Sequence, residues 1–121
     1  MNTKYTFPLN IFRAYDIRGK LNHLTPHVIH SIGYALAQQY KNAGQYQVVI
    51  GYDARLTSPT YANIIQQIFQ TQGLTVTNIG CCSSPMMYYI ARDFGGNGII
   101  VTASHNPKSD NGIKWILKGE P

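Results

Sequence analysis

Ser104, His105 and Asn106 follow the three β-branched apolar residues Ile99-Ile100-Val101 and are stopped by Pro107. A hydroxyl, an imidazole and an amide thus stand where a buried strand ends. In α/β sheets, that is where ligands bind. Pro107 fixes its own φ and biases Asn106 towards extended conformations, so the loop is held in place. Asn111-Gly112 reads as the tight turn that closes it. Ser104 beside His105 raises the idea of a serine hydrolase. Neighbours in an extended segment point to opposite faces, which places His105 badly as a base for Ser104. No G-x-S-x-G surrounds any serine. The residues alone leave two readings open, a functional loop or a well-made surface loop in which Ser104 only caps or turns.

The second stretch is Ile11–Lys20, IFRAYDIRGK, which gathers Arg13, Arg18 and Lys20 around Tyr15 and Asp16. Arginines on an irregular segment suit forked hydrogen bonds to phosphate. Taken alone, the stretch reads equally as an edge segment with a solvated face. Other chemistry is missing. There is no G-x-x-x-x-G-K-[ST] loop and no G-x-G-x-x-G after a strand. His27 and His30 could share a metal on one helix, but no third ligand sits nearby in sequence. The acids are Asp16, Asp53, Asp93, Asp110 and Glu120, too scattered for the clustered oxygens that magnesium wants. Cys81 and Cys82 are adjacent and make neither a disulfide framework nor a metal cage.

Composition sets the frame for these stretches. A chain of 121 residues with 44% apolar and 12% charged residues can bury a core as one domain. No apolar run is long enough to span a membrane, and nothing at the start resembles a signal peptide, so a cytoplasmic protein is expected. The net charge of +5 is spread along the chain without a polybasic cluster. Thinly spread positive charge suits a small phosphorylated ligand better than nucleic acid.

The elements that must position the two stretches follow from periodicity. Thr25-Pro26 opens a helix whose apolar residues recur at three- and four-residue steps, and Gly44 ends it. Residues 46–53 form a strand. Ser58-Pro59 caps a second helix that Gly73 stops, and 74–80 alternates as a strand. Ser84-Pro85 caps a third helix reaching about Phe94, followed by a glycine turn, a buried strand over 99–103 and a last strand over 112–119. The connection between these last two strands is too short for a parallel crossover, so they are antiparallel. The order predicts a three-layer α/β/α domain with a mixed, mostly parallel sheet and one antiparallel edge strand. A domain of this kind would carry another helix after its last strand, and none is encoded before Pro121.

FRAYDIRG near the start, followed by TASHNP and NGIK, closely resembles the first domain of the α-D-phosphohexomutases, whose bacterial members act as phosphomannomutase and phosphoglucomutase. The resemblance covers essentially the whole chain. It implies that Ser104 carries a phosphate that is handed to a hexose monophosphate. The resulting hexose 1,6-bisphosphate reorients and returns its other phosphate, so that hexose 1-phosphate and 6-phosphate are exchanged. It further implies catalytic roles for Ser104, Arg18, Lys114 and His105, and phosphate or substrate binding by Tyr15, Arg18, Asn106 and Lys114. Magnesium would meet Ser104 through its phosphate, with the remaining ligands on a D-G-D-G-D-R loop of a second domain. Sugar recognition would lie on a third domain and further phosphate binding on a fourth. None of these is present in the 121 residues. The chain alone is therefore expected to be inactive, with sugar phosphates as partners and neither nucleic acid nor membrane. The competing reading is a stand-alone binding module that keeps the fold. Two departures stand out: Tyr52 in GYDAR replaces an arginine common in relatives, and Ala103 replaces a glycine. On this reading Tyr52, Asp53 and Arg55 support the site without belonging to it.

Overall fold

A computed structural model of the chain describes residues 16–121, and its elements follow the sequence closely. Strand β1 spans Asp16–Lys20, helix α1 Pro26–Asn42, strand β2 Gln47–Tyr52, helix α2 Ser58–Thr71 and strand β3 Thr75–Cys81. Helix α3 covers Ser84–Ala91 and tightens into a 3-10 turn at Arg92–Phe94, before strands β4, Gly98–Val101, and β5, Asp110–Ile116. Thr25 caps α1 as expected, its hydroxyl accepting from the Val28 N–H at 3.3 Å, with Pro26 in the first turn. Helix α3 is capped by Ser83, one residue earlier than the sequence reading, its Oγ accepting from the Met86 N–H.

The sheet runs β1-β5-β4-β2-β3. β3, β2 and β4 are mutually parallel, whereas β4–β5 and β5–β1 are antiparallel. Two pairings of each kind replace the mostly parallel sheet read from the sequence, although the α/β class holds. The difference comes from β1. Its five residues carry a single buried aliphatic side chain, Ile17, and look irregular in isolation. They become a strand by pairing with β5, with Ile17 opposite Ile113 and Arg18 opposite Gly112. β5 is therefore an inner strand and β1 the antiparallel edge.

Helices α1 and α2 lie on one face over a core that includes Ile29, Ile32, Tyr40, Ile65, Phe69, Ile99 and Ile113. The fully buried Tyr40 stitches this layer to the sheet, its hydroxyl donating to the Ile116 carbonyl at 2.7 Å. Helix α3 covers the other face over β2 and β4 through Met87, Ala91, Val49 and Ile100. The chain leaves β2 for β3 through α2 on one face, then returns past β2 to β4 through α3 on the other. The strand order thus reverses between β2 and β4, and the C-terminal ends of these two parallel strands frame a crevice. In doubly wound sheets this is the ligand-binding position.

Candidate active site

The loop that leaves β4 contains Ser104, and the loop that leaves the neighbouring β2 contains Asp53 and Arg55. Ser104 adopts φ +55°, a left-handed conformation that costs a non-glycine residue about 1–2 kcal/mol. Its amide donates to Thr102 Oγ1 at 3.0 Å, and the Asn106 amide donates back to the Ala103 carbonyl at 3.0 Å. A second turn follows, closed by the Asp110 N–H on the Pro107 carbonyl at 2.9 Å. The turn that returns the chain is therefore at 107–110. Asn111 and Gly112, read from the sequence as a turn, lie inside β5. Asn111 is buried, its amide donating to Thr57 Oγ1 at 2.8 Å and Ser58 Oγ at 3.0 Å. Gly112 is required for packing, since a Cβ there would run into the Ile17 carbonyl of β1.

Strands β1 and β5 place Arg18 and Lys114 on one face, and Arg18 is bonded to Asn106 of the loop. The register places Asp16 opposite Lys114 and Arg18 opposite Gly112, so the side chains of Asp16, Arg18 and Lys114 share one face of the sheet. Arg18 donates from Nε to Asp16 Oδ2 at 3.0 Å and from Nη1 to Asn106 Oδ1 at 3.1 Å. The Asn106 amide in turn donates to Asp110 Oδ2 at 3.1 Å. A polar chain thus links the edge strand to the serine loop. His105 is exposed on the same loop, next to Ser104. Tyr15 and Arg13 lie outside the described residues.

Arg55 was expected from the sequence only to support the site, and the structure shows which groups it holds. Its Nε donates to Asp53 Oδ2 at 3.1 Å. Nη1 donates to the carbonyls of Pro107 at 2.7 Å and Asp110 at 3.2 Å, and Nη2 to those of Ser104 at 2.8 Å and Asn106 at 2.9 Å. Asp53 is held in turn by the Ser58 hydroxyl at 2.6 Å and the Arg55 N–H at 3.0 Å. Ser58, expected as the cap of α2, thus spends its hydroxyl on Asp53, and α2 starts without a side-chain cap. Burial pushes the Asp53 carboxyl upward, but hydrogen bonds from Ser58, the Arg55 backbone, Thr102 and the Arg55 side chain together hold it below its ordinary value. The usable signal in the sequence was an aspartate and an arginine two residues apart after a buried strand that ends at the switch point. Tyr52, one of the two departures, packs its side chain against the α1/α2 core, and Ala103 is fully buried.

A cleft of about 690 Å³ opens beside this assembly, lined in part by Leu21, Arg55, Leu56, Asn106 and Lys108. Among the described residues no group of three or more histidine, cysteine or acidic side chains is placed to hold a metal ion. Cys81 and Cys82 are free thiols. No helix among the described residues is long and apolar enough to cross a membrane.

Comparison with known proteins gives this geometry a context. Residues 9–121 match the family model described as phosphoglucomutase/phosphomannomutase, alpha/beta/alpha domain I. The chain belongs to that family. The phosphoglucomutase of Neisseria meningitidis serogroup A is 39% identical over 113 residues, covering 92% of this chain and 25% of the relative. The phosphomannomutase/phosphoglucomutase of Pseudomonas aeruginosa PAO1 is 37% identical over 117 residues, covering 95% of this chain and 25% of the relative. A crystal structure of a phosphoglucomutase/phosphomannomutase family protein from Burkholderia thailandensis superposes with a TM-score of 0.87 at 31% identity, covering 94% of this chain and 27% of that one. The chain spans about a quarter of the length of the relatives it matches.

Proposed function

We propose that residues 1–121 form the first of four domains of a cytoplasmic phosphohexomutase and carry the transferred phosphoryl group on Ser104. The observation that carries this reading is the placement of Ser104. It sits in a left-handed turn at the switch point of the sheet, on a loop bonded to Arg18 and beside the strand that bears Lys114.

Phosphoryl transfer asks a protein mainly for position and for positive charge facing the phosphate oxygens. A phosphate on Ser104 would bring about −1.5 to −2 charges, and Arg18 and Lys114 are cations of the adjoining face, which also bears Lys20. In the proposed cycle the Oγ–P bond of phospho-Ser104 breaks as an O–P bond forms to a hydroxyl of a hexose monophosphate. The hydroxyl proton leaves, Ser104 Oγ takes up a proton, and Arg18 is the candidate for helping that transfer. The hexose 1,6-bisphosphate turns over and returns its other phosphate to Oγ, completing the exchange between hexose 1- and 6-phosphate. Tyr15, His105 and Asn106 would shape the pocket for phosphoserine and substrate. Magnesium is the metal that the reading implies, but the described residues do not by themselves form a site for it. This chain would contribute only the phosphate on Ser104, with the other ligands outside the 121 residues.

The test is the intact mass of the protein isolated from its own cells, followed by peptide mapping. One phosphate on the peptide containing Ser104, absent from Ser104→Ala, is the expected result. An unmodified Ser104 in protein drawn from cells growing on hexose would overturn the reading. The 121-residue chain alone is expected to turn over neither glucose 1-phosphate nor mannose 1-phosphate, and steady turnover would refute that part.

A further inference from the structure

An arginine guanidinium has five N–H donors. In Arg55 all five are committed, one to the Asp53 carboxylate and four to the backbone carbonyls of Ser104, Asn106, Pro107 and Asp110. Among the described residues Arg18 uses two of its donors, on Asp16 and Asn106. The two arginines flank one loop and are placed for different work. Arg55 has no donor left for a ligand, and its acceptors span both turns of the loop. One of them is the carbonyl of the residue held at φ +55°. A left-handed serine persists only where its surroundings over-determine it, and the Arg55 fork supplies that constraint from the loop that leaves β2.

We propose that Arg55, oriented by Asp53, is the positioning residue of this site: its planar fork fixes where Ser104 is presented and does not itself contact the phosphorylated ligand. Only the purpose of the clamp rests on the reading of Ser104 as a phosphoryl carrier. The clamp itself is a statement about loop geometry. The fork is essential because Lys keeps the charge but offers three donors from a single point, which cannot reach four carbonyls spread over seven residues. Arg55→Lys should therefore behave like the uncharged Arg55→Met.

The experiment is NMR on the isotopically labelled chain, with inorganic phosphate as the probe. In Arg55→Lys and Arg55→Met alike, the amide signals of Ser104–Asp110 should move and the Cα and Cβ shifts of Ser104 should lose their left-handed signature. The signals of α1, α2 and β3 should stay in place, with a Tm lower by roughly 5–10 °C. Titrating wild type with phosphate should move the Arg18 Nε–H signal and leave that of Arg55 where it was. Retention of the loop signals in Arg55→Lys would show that charge suffices and overturn the proposal. Movement of the Arg55 Nε–H with phosphate, read on the wild type and so independent of how the variants fold, would overturn it as well. If phosphate moves neither arginine, the silence of Arg55 still agrees with a clamp, and it is the phosphate-site reading that fails.

Discussion

Replacing Asp53 by asparagine tests the anchor of the clamp with almost no change of shape. Asp53 accepts from Ser58 Oγ at 2.6 Å, the Arg55 N–H at 3.0 Å and Arg55 Nε at 3.1 Å, with its side chain 22% exposed and that of Arg55 13%. The remaining oxygen of an asparagine can keep Ser58 and the Arg55 N–H. Its amide nitrogen then meets the Arg55 Nε–H donor to donor. One charge-assisted hydrogen bond is lost and a poorly exposed donor is left unpaired, a cost of about 2–3 kcal/mol. For a domain of this size that corresponds to a fall in Tm of roughly 6–12 °C at neutral pH. The pH dependence follows from the lowered pKa of Asp53. Its stabilising contribution is complete above the ordinary carboxylate value of 3.8 and is lost as the pH falls through the lower folded-state value. Thermal melts of wild type and D53N followed by circular dichroism should therefore differ fully at pH 7 and converge in more acid solution. Equal melting at neutral pH, or a gap that persists unchanged to about pH 2, would refute the reasoning.

Other substitutions probe separate parts of the molecule. Ser104→Gly should be more stable than Ser104→Ala by about 1 kcal/mol, because glycine adopts φ +55° freely. Equal denaturant midpoints would deny the strain. Gly112→Ala should strip β1 from β5, since the added Cβ meets the Ile17 carbonyl and lies 2.9 Å from that of Thr102. Rapid hydrogen exchange at the β1 amides would report it, and unchanged protection would contradict it. Tyr40→Phe leaves the Ile116 carbonyl without the hydroxyl that bonds it at 2.7 Å and should cost about 1–2 kcal/mol in urea unfolding.

Most of the scaffold was legible because its signals are local. Thr25-Pro26 and the apolar spacing of α1 act within one helix, and Val48, Val49, Ile50 and Ile99–Val101 mark strands buried on both faces. The serine loop was legible as a rigid segment at the end of a strand because Pro107 acts on its own neighbours. What stayed hidden depends on partners far along the chain. β1 is a strand only through β5. Asn111 left its reading as a turn because Thr57 and Ser58 claim its amide, and Ser58 left the cap because Asp53 claims its hydroxyl. Arg55 binds carbonyls, which every residue owns, so no residue type in the loop advertises its partner.

The crossing of the chain between β2 and β4 also has a kinetic consequence. Arg55 is separated by 49 to 55 positions from the carbonyls it holds, so no helix or hairpin can form this contact by itself. The loop entropy of closing that span must be met by pairing β2 with β4 before the fork has anything to grip. The Ser104 turn should therefore be among the last features to lock during folding and among the first to open. A synthetic peptide covering 99–116 should carry the motif and lack its shape. In this molecule the serine loop is specified by its own residues and shaped by an arginine on the loop after β2, far away in sequence.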